Sequence, residues 1–271
     1  MKQGLLSEVT YQIFALIIAV ILVHAVYVAV VRPNAEVIQQ QQYALLEQDE
    51  NYIPDRSVYV ILKDFEQETC IILFFWALSI IGLKTHRTLR ERRLLERNLI
   101  QISEGTSILP EDAKNFARPV EALPERERNY LLPRALLTGL RRFYNTGSIQ
   151  DVAGTIRDNL ENEGDRLETE LTIVRYIAWA IPSIGFLGTV RGIGTALGQA
   201  YQAQSGDIFG MTESLGVAFN STFVALVVSI LLMFLLHQLQ LLQDRLVLDT
   251  QNYCDEYLVR HLQVPERYVS S

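Results

Sequence analysis

Two cysteines in 271 residues exclude a disulfide scaffold, a zinc ribbon and a CxxC redox site. Cys70 falls in an apolar run and Cys254 in a later polar stretch, so no bond between them is expected. Positive charge is also scarce. The 24 Lys and Arg stand against 31 Asp and Glu, a net charge of −7, and no sustained basic surface for a nucleic acid remains. There is no P-loop and no HExxH. The Gly192-x-Gly-x-x-x-Gly198 pattern has the glycines of a nucleotide loop, but no strand precedes it and it lies in an apolar run. No enzyme activity, catalytic residue, metal site or cofactor is therefore expected. Finally, Asp and Glu are missing from every long apolar run. A proton-driven machine needs a carboxylate that titrates inside the membrane. If this chain moves ions, that acid is expected on another chain.

What the chain does have is four apolar runs, at 11–31, 69–83, 177–200 and 217–237. Three have the length of about 20 residues that spans a bilayer, and the second must borrow flanking residues. The expected fold is an all-α integral membrane protein with four transmembrane helices and long cytoplasmic helical extensions. The first helix takes 1–31 and reads as an uncleaved anchor, because its apolar part is too long for a signal peptide. A periplasmic loop follows at 32–68 and the second helix at 69–83. A cytoplasmic helical segment takes 84–176, a core of two helices 177–241, and a cytoplasmic C-terminal helix and tail 242–271.

Orientation follows from basic residues at helix ends. Lys84, Arg87, Arg90, Arg92, Arg93 and Arg97 follow the second run and hold that side in the cytoplasm. The stretch 34–68 is acidic, and the 201–214 loop carries Asp207 and Glu213 without Lys or Arg, so both fit the outer side. Both termini are then cytoplasmic. In the inner segment, Pro110, Pro119, Pro124 and Pro133 predict short helices and turns. A charged helix is expected at 83–102, a long one at 149–176, and helical periodicity from 237 until Pro265.

Two runs carry the candidate chemistry. Thr189 shares a helix face with Pro182, Gly185, Gly192, Ile193 and Ala196, and Thr222 with Ala218, Phe219, Ala225, Leu226 and Ser229. Two small faces with hydroxyls could line a shared cavity, because a hydroxyl donates or accepts without the desolvation cost of a charge. Equally, small residues such as Gly188-xxx-Gly192 and Gly194-xxx-Gly198 let membrane helices pack closely. Both readings stand at this point. Thr189 and Thr222 are the ion-pathway candidates, and Ser229, Asn220, Gly185 and Gly192 are candidates for lining or supporting it.

Arg191 is the one charge in its run, and insertion scales put its cost at about 2.5–3.5 kcal/mol. It either tunes an ion path or pairs with a loop carboxylate such as Glu68 or Glu213, or it has a structural role, as an ion pair at a subunit contact or a side chain that snorkels outward. His24 is expected to hydrogen-bond within the bundle rather than relay protons.

The run Gly185-Phe-Leu-Gly-Thr-Val-Arg-Gly-Ile193, followed by Gly216-Val-Ala-Phe-Asn-Ser-Thr-Phe-Val-Ala-Leu226, resembles the paired helices of the MotA/TolQ/ExbB family of ion-channel stator subunits. The resemblance covers 177–241. It implies a bacterial inner-membrane, multi-pass channel subunit that self-associates, five copies surrounding two copies of a MotB/TolR/ExbD-like single-span partner with an essential membrane aspartate. It also implies that proton or sodium flow past that aspartate drives rotation or mechanical work, with Thr189 and Thr222 at the pore-facing threonine positions. Two departures stand out. TolQ and ExbB carry a glutamate shortly before the second threonine, where this chain has Val217, Phe219 and Asn220, and Arg191 stands where they place tryptophan. The alternative is a non-conducting membrane scaffold or signalling subunit that uses its glycine-rich helices only for assembly.

Overall fold

A computed structural model of the chain describes residues 2–48, 57–97, 99–100, 107–201 and 208–264. Asp49, Glu50, Asp55, Asp207 and Pro265 lie outside the described residues, so the expectations placed on them go without a structural counterpart. Among the described residues the regular structure is helical, apart from one isolated parallel bridge between Ile108 and Leu262. Four helices are long and apolar enough to cross a membrane: Val9–Leu45, Phe65–Leu95, Ile149–Gly198 and Phe209–His261. The chain divides into two compact units, Met1–Gly82 with Ile173–Leu236, and Leu83–Thr172 with His237–Ser271.

The first unit opens with α1 (Lys2–Val26), a π-helical turn at Tyr27–Val31, and α2 (Arg32–Gln48). The expected boundary at residue 31 is not where the helix ends. Pro33 lacks an N–H and its ring would clash with the carbonyl four residues back. The wider π turn just before it opens the ladder, with the Arg32 N–H donating to the Tyr27 carbonyl, and the helix passes through. Val23, Tyr27 and Val31 pack against Leu62, Ile71 and Ile72. Leu62 ends α3 (Val58–Leu62), and the isoleucines belong to α4 (Phe65–Leu95). That helix starts four residues before its apolar run and so takes Glu66 and Glu68 into its first turn. It ends at Leu95 rather than near 102.

The second unit holds α5 (Ala113–Glu121), α6 (Glu125–Arg128), α7 (Leu131–Thr146) and α8 (Ile149–Glu170). Pro110 and Pro124 give the expected breaks, each at the start of a helical piece, but Pro119 lies inside α5 and Pro133 sits in the first turn of α7, where a missing N–H is harmless. Leu136, Leu140 and Phe143 of α7 and Val152, Ile156 and Leu160 of α8 form one core with Leu246, Tyr253 and Leu258. Burying a side chain of this size is worth about 1.5–3 kcal/mol. Gly139 permits the close crossing, because a Cβ there would lie 2.8 Å from Ile156 Cδ1. Gly147 closes α7 in the left-handed region at φ 60° and donates to the Phe143 carbonyl at 2.9 Å. Ser148 then caps α8 by accepting from the Asp151 N–H.

The remaining helices are α9 (Thr172–Gly198) and α10 (Phe209–Tyr257). Their apolar parts, within Ile173–Leu236, lie in the first unit and carry the candidate site.

Candidate functional site

The small residues of α9 recur at helical spacing: Gly185, Gly188, Gly192 and Ala196 are all buried. They meet Ala225, Ser221 and Ala218 of α10, which share one face of that helix. Within one chain the two small faces close on each other instead of lining a cavity. A Cβ at Gly192 would lie 2.8 Å from Ala218 Cβ, Ala218 N and Ser214 O, so only glycine allows this approach. Gly194 and Gly198 are different, since nothing lies within 4 Å of a Cβ built on either. The outer members of the expected faces turn away, with Ile193, Phe219 and Leu226 exposed.

Thr189 and Thr222 meet on this seam. Their hydroxyls are hydrogen-bonded to each other. Thr189 Oγ1 also reaches the Ala218 carbonyl at 3.0 Å, and Thr222 Oγ1 donates to the Gly185 carbonyl at 3.2 Å. Each helix thus hands one hydroxyl to the backbone of the other. Both threonines remain half-buried, so the pair is reachable from the surface of the chain. An uncharged hydroxyl pair can hold water or a proton carrier without binding it as a fixed charge would.

Ser229 has a backbone role. Pro182 lies inside α9 and cannot donate to the carbonyl four residues back, at Ala178. Ser229 Oγ supplies that hydrogen bond at 3.0 Å. In hydrocarbon such a carbonyl needs an internal partner. Asn220 is half-buried and lies two residues before Thr222, on roughly the opposite side of α10.

Arg191 forms an ion pair, but with neither expected partner. Its Nη2 lies 2.8 Å from Glu66 Oε2 and 3.9 Å from Asp64 Oδ1. Glu68 is taken by the first helix, where its carboxylate lies 2.5 Å from Arg32 Nη2 and 2.7 Å from His24 Nδ1. Arg32 also stacks over the Phe65 ring. Glu213 accepts from Gln39 at 2.6 Å, Tyr43 at 2.7 Å and Lys63 at 3.2 Å. His24 is therefore a bundle contact, as expected. Burial pushes the Asp64 carboxyl above its ordinary range; Lys63 and Arg191 pull it back, and Glu66 adds to the rise.

Sequence reasoning missed Glu66 and gave Glu68 the wrong partner. The signal was there: the second apolar run is too short to span, and borrowing residues on its N-terminal side brings both acids into the helix. The cysteines are free and buried.

Comparison with family models matches residues 127–252 to the model described as the MotA/TolQ/ExbB proton channel family. The match is wider than the pair of apolar helices. It takes in α7 and α8 of the second unit as well as Thr189, Arg191 and Thr222. A comparison with curated proteins finds no match.

Proposed function

Residues 127–252 belong to the MotA/TolQ/ExbB proton channel family, and from that premise we propose that the chain is the channel-forming stator subunit of a motor in a bacterial inner membrane. It couples the flow of protons, or of sodium, to rotation or mechanical work. Five copies surround two copies of a MotB/TolR/ExbD-like single-span partner whose membrane aspartate takes up and releases the ion. Both termini lie in the cytoplasm, consistent with the arginines at the end of α4.

The observation that carries the reading is the Thr189–Thr222 hydroxyl pair. It lies inside the matched segment, on a seam of two membrane-length helices, and it keeps an accessible edge. Facing a partner's acid, such a pair offers lone pairs to the protonated form, and a hydroxyl that rotates off the carbonyl it holds offers a donor to the carboxylate. It carries no charge that would trap the ion. A membrane potential supplies about 2.3 kcal/mol per charge per 100 mV, so several charges per turn drive stepwise work.

The crowded glycines support a second reading, in which Gly185, Gly188 and Gly192 serve packing alone and the chain is a non-conducting scaffold. Proton flux through vesicles containing the chain with its partner separates the two. Thr189→Val and Thr222→Val preserve shape and remove the hydroxyls. The channel reading expects both to depress flux in assemblies of normal size. Unchanged flux in both variants would reject the pore.

A further inference from the structure

The seam beside the hydroxyl pair is flanked by a carboxylate of this same chain. A Cβ built at Gly188 lies 2.6 Å from Ser221 Oγ and 3.2 Å from Glu66 Cγ. The stem of Glu66 thus rests against the helix seam at Gly188 and Ser221, the residues that adjoin Thr189 and Thr222 in the chain. Its carboxylate is held by Arg191 at 2.8 Å, and the Glu66 side chain is only 16% exposed against 50% for Arg191. The acid thus sits inside the seam and the guanidinium opens outward. Asp64 lies within reach of the same guanidinium at 3.9 Å, and its Oδ2 is buried without a partner among the described residues.

The geometry points to Glu66 as an ion-pathway residue: a proton-relay carboxylate that this chain supplies beside its own hydroxyl pair, with Arg191 as the clamp that positions it. The inference rests on the channel reading given above and adds a second acid to the path. Glu66 takes a proton from a hydronium entering on the Arg191 side. One O–H bond forms on the carboxylate, one breaks on the hydronium, and water is left. Arg191 keeps Asp64 as its counter-charge during this step. Glu66 then passes the proton to a water at the hydroxyl pair and returns to the carboxylate.

The neighbouring charges are otherwise committed. Lys63 goes to Glu213, while Glu68 goes to Arg32 and His24. Arg191 is the cation on Glu66, Asp64 is the nearby acid, and Ser221 is the facing group on α10.

The test is proton flux as a function of outer pH, measured on the full chain assembled with its partner in vesicles. Removing a proton-transfer group lowers rates by about a hundredfold or more. Glu66→Gln, which keeps the shape and a hydrogen bond to Arg191, is expected to lower flux on that scale and to flatten its dependence on outer pH, with assembly size unchanged. Glu66→Asp is expected to restore part of the flux. Where Glu66→Gln fails to assemble, the paired variant Glu66→Gln with Arg191→Gln removes both charges and is expected to give the same flat, low flux. If either neutral variant conducts like the wild type while Thr189→Val blocks conduction, the relay is wrong and the channel reading survives. If Thr189→Val and Thr222→Val both conduct like the wild type as well, the channel reading falls and takes the relay with it.

Discussion

Replacing Gly192 by alanine tests the seam on which the site is built. A Cβ there lies 2.8 Å from three atoms of the facing helix, two of them backbone. Non-bonded carbons rest about 3.5–4.0 Å apart, so the added methyl is about 1 Å too close. Backbone cannot rotate aside, so α9 and α10 must part locally. Overpacking of this kind costs about 1–3 kcal/mol. Alanine regains about 0.5–1 kcal/mol of helix propensity, which leaves a net loss centred on about 1.2 kcal/mol and at most about 2.5 kcal/mol. For a chain of this size the central value lowers the melting midpoint by about 2–5 °C. The assay is thermal unfolding of the purified chain in detergent, with Gly194→Ala as the control, because nothing lies within 4 Å of a Cβ at Gly194. The control is expected to melt at or slightly above the wild type. A Gly192→Ala protein that melts with the control would refute the argument, since the seam could not then be closed as described.

Three further outcomes follow from single contacts. Ser229→Ala strips the partner from the Ala178 carbonyl and should destabilise by about 0.6–1.7 kcal/mol, the range for membrane hydrogen bonds. Combined with Pro182→Ala, which restores the backbone donor, most of that loss should vanish, and a double-mutant cycle in denaturant measures it. Glu68→Gln leaves Arg32 without its carboxylate and should cost about 3 kcal/mol, the lower end for a broken buried pair, because Arg32 is 25% exposed; thermal unfolding in detergent reads it. Gly147→Ala forces a side chain into the left-handed cap of α7 and should lower stability by about 1–2 kcal/mol, with Gly147→Asn milder, as read by proteolytic susceptibility of the second unit.

The four apolar helices were legible from run length, and Thr189 and Thr222 stood out from the spacing of small residues around them, but that their hydroxyls meet is a tertiary contact. The broken character of 110–133 was equally plain from its prolines. Other features turned on tertiary relationships. Arg32-Pro33 looks like the end of a helix, yet a π turn absorbs the missing donor and the chain continues. Which carboxylate meets Arg191 is a matter of which helix lies beside it, and sequence distance is silent on that: the partner is 125 residues away. The glycines fitted both packing and a lined path. Only the facing atoms show that Gly185, Gly188 and Gly192 are used within the chain, while Gly194 and Gly198 leave open surface. The role of Ser229 was readable in principle, since Pro182 frees the carbonyl at Ala178, but the donor comes from a helix 51 residues on.

The most direct measurement is a structure of the purified assembly isolated with its native partner. The account predicts the partner's two membrane helices on the central axis, with an acid within one water of the Thr189 and Thr222 hydroxyls. An axis filled by lipid or by bulky hydrocarbon side chains, with both threonines facing away from it, would contradict the account.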